Sequence, residues 1–206
     1  MMTTNKQKLL VASTNRKKLK ELQELIADLA LELCCLADLP NYEEVAETGQ
    51  TFEENATLKA IGYSQQSGLL TLAEDSGLCC DALDGAPGVL SARFAGLDKD
   101  DDANNNKLLK IMENLPDNCR GAHFVSAACI AYEGISIGVV EGKVFGSIYR
   151  SAEGKNGFGY DAVFFYPPYQ KTFGQVSSEL KYRVSHRAQA LQKAKGLLQN
   201  YLMKNH

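Results

Sequence analysis

The chain reads as an α/β protein, and three observations carry that reading. Short apolar runs end in polar turns, segments with one apolar helical face follow them, and a β-branched stretch past the middle is cut by glycines. Strands and helices mixed in this way along one chain predict a sheet flanked by helices.

The elements follow in order. Residues 8–12, KLLVA, are a buried-strand pattern feeding the polar turn STN. A helix begins near Asn15, a good N-cap residue. Leu19, Leu22, Leu25, Ile26 and Leu29 recur there at three- and four-residue steps, while Lys17, Lys18, Lys20, Glu21 and Glu24 fall on other faces. LELCCL is a second strand. The acidic stretch DLPNYEEVAETG, broken by Pro40 and Gly49, leads into TFEENATLKAIGYSQQ, where Phe52, Ala56, Lys59, Ala60 and Tyr63 mark a second helix.

The run LLTLAEDSGLCCDAL is expected to stay apolar to Ala73, turn at EDSG and resume as a strand. Glu74 and Asp75 would then emerge at a strand end, a usual location for chemistry in an α/β sheet. LDGAPGVLSARFAG reads as a loop. Asp98, Asp100, Asp101 and Asp102 then open a further helix as solvated acids suited to the positive end of its dipole. HFVSAACIAY and ISIGVVEGKVFG predict a β-hairpin. GKNGFGYDAVFFYPPY places three glycines before a strand-like run, and a last helix is expected from about Ser185 to Leu202.

A chain of 206 residues, 45% hydrophobic, can bury a sizeable core as one folding unit, residues 1–206. With 22 Lys plus Arg against 25 Asp plus Glu, the net charge of -3 lacks the footprint of a nucleic-acid binder. The apolar run LLVA is too short for a signal peptide or a membrane span, so a cytoplasmic location is expected. The six cysteines show no C-x-x-C spacing and are expected as reduced, mostly buried thiols.

Four constellations could carry chemistry. The turn Ser13, Thr14, Asn15, Arg16, Lys17 and Lys18 joins a strand to a helix start with free N–H groups and cations, which attracts phosphate. It is not a Walker loop, and it also reads as a plain capped surface helix. The acids Glu43, Glu44 and Glu47, with Glu74 and Asp75, could hold magnesium, which prefers oxygen ligands from one or two carboxylates together with phosphates and waters. For Glu43 and Glu44 the plainer reading is a solvated loop.

The third constellation is GFGYD, whose glycines could let a flat ring approach and stack on Phe158, or whose Phe158 and Tyr160 could both lie in the core. The fourth is Lys181 with Ser185, His186 and Arg187, donors able to read purine oxygens, or equally a helix cap with an ion pair. No G-x-S-x-G elbow is present.

Taken together, STNRKK, ETGQTFEENATLKA, AEDSGLCCDALDGAPGVLSARFAG, GFGYDAVFF and SHRAQAL resemble the inosine triphosphate pyrophosphatase family in its bacterial style, from about Leu9 to the last helix. The resemblance implies an elongated mixed central sheet with two lobes, a nucleotide cleft between them and a homodimer. It implies a house-cleaning enzyme that hydrolyses ITP, dITP and XTP to the monophosphate and pyrophosphate with Mg2+. By position, Ser13 to Lys18 would bind triphosphate, Asp75 would be the catalytic carboxylate and a metal ligand, and Ser76 would contact substrate. Glu47 is the choice for the second metal carboxylate. Phe158, Gly159, Tyr160 and Asp161, with Lys181, His186 and Arg187, would surround the base. Two other classes stay open: a Maf-type pyrophosphatase for modified pyrimidine nucleotides, and a non-catalytic nucleotide-binding protein.

Overall fold

The structure, a computed structural model, describes residues 6–96 and 100–205. Among them seven strands pair in the order β2-β1-β3-β4-β5-β6-β7. The sheet is mixed, parallel where β1 (Gln7–Val11) lies between β2 (Leu31–Cys35) and β3 (Leu70–Cys80), and antiparallel where β6 (Phe164–Tyr166) lies between β5 (Ile135–Ile148) and β7 (Lys171–Thr172). The expected mixed α/β class is therefore observed. The chain divides into two compact units, and each has its own core.

The first unit takes in the described residues of Met1–Asp75, Ala127–Glu141 and Ala190–His206. Three successive residues of β1, Leu9, Leu10 and Val11, are buried, as in a parallel strand covered on both faces. Side chains alternate across the pleat, so Leu9 and Val11 join Leu22, Ile26, Leu70, Leu72 and Ile130 in one cluster, while Leu10 packs with Leu36 and Tyr63 in another. Removing any one of these large side chains to Ala costs roughly 2–5 kcal/mol.

Helix α1 (Arg16–Leu25) starts where expected: the Lys18 backbone N–H donates to Asn15 Oδ1 at 3.3 Å. Helix α2 (Phe52–Ser67) begins with a reciprocal cap, in which Glu54 N–H donates to Thr51 Oγ1 at 3.1 Å and Thr51 N–H to Glu54 Oε2 at 3.3 Å. It stops at Gly68, whose φ of 67° suits glycine.

The expected turn at EDSG is corrected. β3 runs without interruption from Leu70 to Cys80, through Glu74, Asp75, Ser76 and Gly77. These residues favour turns in isolation, but the sheet context overrides that local preference, although pairing with β1 reaches only to Leu72. Asp75 is thus held on a rigid strand, not in a mobile turn.

The predicted hairpin is present. β4 (Gly121–Tyr132) and β5 are sheet neighbours joined by Glu133 and Gly134, whose φ angles of 50° and 77° are those of the two-residue turn that matches strand twist.

The second unit comprises the described residues of Ser76–Ser126 and Gly142–Gln189. Its core gathers Leu78, Leu108, Met112, Phe124, Ile148, Phe164 and Phe173. Helix α3 (Asp101–Ile111) is capped by Asp100, whose Oδ1 accepts from Ala103 N–H at 3.0 Å. Asp98 lies outside the described residues. A one-turn helix, α4 (Ser178–Tyr182), precedes α5 (His186–Asn205), which carries the chain into the first unit. Its cap is Ser185, whose Oγ accepts from Ala188 N–H at 3.2 Å.

The cysteines described are all free thiols: Cys35, Cys80 and Cys129 are buried, Cys34 and Cys79 partly buried, and Cys119 exposed. Burial pushes the Cys80 thiol up to about 12, which keeps it protonated and inert. No helix among the described residues is long and apolar enough to cross a membrane.

Candidate active site

In the first unit, α2 lays Phe52, Ala56, Ala60 and Tyr63 against the interior, and the same face carries Asn55 and Lys59, one turn apart. Lys59 therefore enters the interior with its apolar neighbours. Its ammonium lies 2.9 Å from Glu47 Oε1 and 3.5 Å from Asp75 Oδ1. The Lys59 and Asp75 side chains are only 12% and 13% exposed, so water screens this attraction little. Glu47, at 35%, is the open side of the cluster.

Asn55 is 1% exposed. Its Oδ1 accepts from Gly49 N–H at 2.8 Å, and its side chain favours the charged form of the Asp75 carboxylate. One amide thus ties the loop that carries Glu47 to helix α2. The other Asp75 oxygen, Oδ2, is buried without a hydrogen-bond partner. Burial raises the Asp75 carboxyl above its ordinary pKa, with Glu47 adding to the rise; Lys59 and Asn55 oppose it.

An unpartnered buried carboxylate oxygen is costly, and a hard cation would offset that cost. Asp75 with Glu47 offers the one or two carboxylates that magnesium ordinarily takes from a protein, leaving its other positions to water and phosphate. Among the described residues no group of three or more His, Cys, Asp or Glu could hold a metal ion by itself. The residues fit the ion.

The turn after β1 lies at the carboxyl end of a strand that runs parallel to β3, with Val11 level with Leu72. The turn and the Glu74–Asp75 segment thus lie toward the same end of two neighbouring strands, where α/β proteins place ligands. Ser13 Oγ accepts from Asn15 N–H at 3.1 Å, and Thr14, Asn15 and Arg16 are exposed. Arg16 donates to Asp38 at 2.8 Å, a partner the sequence did not announce. The Cys35 backbone N–H and thiol, with Arg16, hold the Asp38 carboxyl down to about 2. Lys18 is partly buried, and the Lys17 side chain lies outside the described residues.

In the second unit the two readings of GFGYD divide. Phe158 is 70% exposed, whereas Tyr160 is 4% exposed, its hydroxyl donating to Ser91 O at 2.9 Å. Asp161 is buried at 1%; its Oδ2 accepts from Phe158 N–H at 2.9 Å and from Lys181 Nζ at 2.5 Å. The Lys181 ammonium also stands 4.8 Å from the centre of the Phe158 ring. Gly157 is required here twice over: its φ is 78°, and an added Cβ would lie 2.0 Å from Asp161 Oδ2. His186 stacks on Phe124, centroids 4.8 Å apart and planes 14° from parallel. Arg187 follows in the first turn of α5, and Ser76 is an exposed residue of β3.

The structure brings Glu47 and Asp75 to a shared lysine, Lys59, which with Asn55 the sequence reading leaves without a role in the site. Their signal was present: two polar side chains four residues apart on an otherwise apolar helix face. Phe158, Asp161 and Lys181 also form one group, in which Lys181 is the ion-pair partner of Asp161 and stands over the Phe158 ring.

The fold and these groups define a mixed α/β protein with a desolvated acid–lysine cluster suited to oxygen-rich anions and a hard cation. The chain belongs to the Ham1 family, whose profile matches residues 9–197. It is 45% identical over 191 residues to a dITP/XTP pyrophosphatase of Desulforamulus reducens, covering 93% of this chain and 95% of that protein. A dITP/XTP pyrophosphatase of Haemophilus ducreyi is 44% identical over 189 residues, 91% of this chain and 96% of the relative. Among solved structures, the Staphylococcus aureus Ham1 protein superposes with a TM-score of 0.87 at 36% identity, covering 95% of this chain and all 100% of the other. A nucleoside-triphosphatase (dITP/XTP pyrophosphatase) from Mycobacterium abscessus gives 0.79 at 46% identity, over 91% of this chain and 97% of its own. The family resemblance read from the sequence is borne out.

Proposed function

We propose that this chain hydrolyses the non-standard purine nucleoside triphosphates dITP, XTP and ITP to the nucleoside monophosphate and pyrophosphate. The observation that carries the reading is Asp75, desolvated on a rigid strand, with Lys59 on one oxygen and the other oxygen bare. Together with membership of the Ham1 family it supports a carboxylate-assisted attack of water on a phosphoanhydride.

Asp75, with Glu47, would hold Mg2+, which when bound neutralises phosphate oxygens and lowers the pKa of water. The Asp75 carboxylate takes the proton of the water that attacks the α-phosphorus. The bond between the α-phosphorus and the bridging oxygen to the β-phosphorus breaks, and pyrophosphate leaves. Lys59 stabilises negative charge beside Asp75. Ser13 to Lys18 bind the triphosphate through side-chain donors and the N–H groups opening α1, and Ser76 contacts the substrate.

Phe158 offers an open ring face for the base, with Gly159, Tyr160 and Asp161 shaping the segment around it. Lys181, His186 and Arg187 supply donors. A 6-oxo purine presents lone pairs to them where adenine presents hydrogens, and a buried donor left unmatched costs about 1–3 kcal/mol. That difference selects oxo purines by roughly tenfold to a hundredfold.

The reading places the protein in the cytoplasm, where nucleotide pools lie and where free thiols persist. It also makes it a homodimer: Ile135 and Val139 of β5 are 71% and 41% exposed, apolar surface that a second copy would cover. Light scattering giving a monomer mass would remove the dimer.

Phosphorus NMR of the products tests the reaction. Appearance of xanthosine monophosphate and pyrophosphate from XTP is expected; a diphosphate with orthophosphate would mean attack at the γ-phosphorus and would overturn the proposal.

A further inference from the structure

Helix α3 holds the GFGYD segment at a single residue. Asp101 Oδ2 accepts the Gly159 N–H at 2.6 Å, and Asn105 Nδ2 donates to the Gly159 carbonyl at 2.9 Å. Asp101 and Asn105 are four residues apart on one face of the helix, so both polar groups of one glycine are captured by adjacent side chains. The acidic run that opens α3 is therefore not only solvated charge.

The captured residue lies where the base-reading group is shaped. Gly159 has a φ of 60°, a conformation that side chains disfavour, although an added Cβ there would meet nothing within 4 Å. The requirement is thus on backbone direction rather than on space. On one side stands Phe158, exposed, with its N–H on Asp161; on the other stands Tyr160, buried and anchored to Ser91. Asp161 fixes the start of the segment and the α3 pair fixes its middle. Asn105 is 5% exposed, and a buried amide bound to a backbone carbonyl does not swing freely.

We propose that Asp101 and Asn105 are positioning residues for purine selectivity: by gripping Gly159 they set the direction in which Phe158 presents its ring to the base. The inference rests on the base-binding role proposed above for this segment. Neither side chain needs to touch the nucleotide; both act through Gly159.

Steady-state kcat and KM for XTP and for ATP, with the thermal midpoint, are measured for the full chain and four variants. Asp100→Ala removes the cap of the same helix without touching Gly159, so it lowers Tm and leaves the XTP-to-ATP ratio of kcat/KM unchanged. Asp101→Ala, at an exposed position, lowers that ratio on the order of tenfold, chiefly through KM for XTP, because a slightly misplaced contact can cost up to ~100-fold. Asn105→Ala changes the ratio in the same direction. Asp101→Asn keeps an acceptor and restores most of the selectivity.

An unchanged ratio in both Asp101→Ala and Asn105→Ala, with Tm falling as in Asp100→Ala, overturns the inference. A wild-type protein that does not distinguish XTP from ATP overturns the base-reading function and this inference with it. A discriminating wild type with indifferent variants overturns the inference alone.

Discussion

Lys59 Nζ stands 3.5 Å from Asp75 Oδ1, while the opposite oxygen of that carboxylate is buried and has no hydrogen-bond partner. The separation is long for a hydrogen bond, so the link is an ion pair that leaves the carboxylate reactive rather than consumed. The same ammonium is closer to Glu47, at 2.9 Å. Two acids that would repel each other are thereby kept side by side.

Asp75→Asn removes the proton acceptor and a metal ligand at nearly constant volume. Pyrophosphate release should fall at least ~100-fold, the usual scale of a lost general base. Retention of wild-type turnover in a stopped assay would remove Asp75 from the mechanism.

Asp75 also gives the protein a pH-dependent stability. Its folded pKa is raised, so the native state binds the proton more tightly than the unfolded chain. The stabilisation this provides is full below the unfolded pKa and is lost as pH rises through the folded one. Thermal midpoints should therefore show wild type losing ground to Asp75→Asn as pH climbs through that window; parallel curves would refute the raised pKa.

Lys59→Met leaves Glu47 and Asp75 adjacent without their shared cation. Because Lys59 holds the Asp75 pKa down, its loss should move the acid limb of the kcat/KM profile to higher pH and lower the maximum. Breaking a largely buried pair of this kind costs up to about 3 kcal/mol, readable as a lower denaturant midpoint. An unmoved acid limb would show that the pair does not govern Asp75.

Phe158→Ala separates binding from folding. The ring is 70% exposed, so Tm should barely change. KM for XTP should rise about tenfold, since stacking on a base contributes roughly 1–3 kcal/mol. A large fall in Tm with KM unchanged would assign Phe158 to packing instead.

Much of the fold was legible because it rests on local patterns. The Leu19-to-Ile26 spacing announced α1, Asn15 its cap, and the glycine-separated β-branched runs the hairpin. The site was legible only in part. Asp75 and Glu47 could be named, but the turn residues of EDSG concealed a continuous strand, because the surrounding sheet outweighs local preference. Lys59 reads from the sequence only as a helix residue and Asn55 is not singled out, because their roles depend on partners from a distant loop and strand. Asp101 read as one of several solvated acids, since its bond to Gly159 spans 58 residues.

The most direct measurement is the initial rate of pyrophosphate release from XTP, dITP, ITP, ATP, GTP and a pyrimidine triphosphate, each with magnesium and again with chelator. Rapid release from XTP, dITP and ITP, slow release from ATP and the pyrimidine triphosphate, and loss of activity on chelation are predicted. Equal or faster hydrolysis of ATP, or activity indifferent to chelator, would contradict the account.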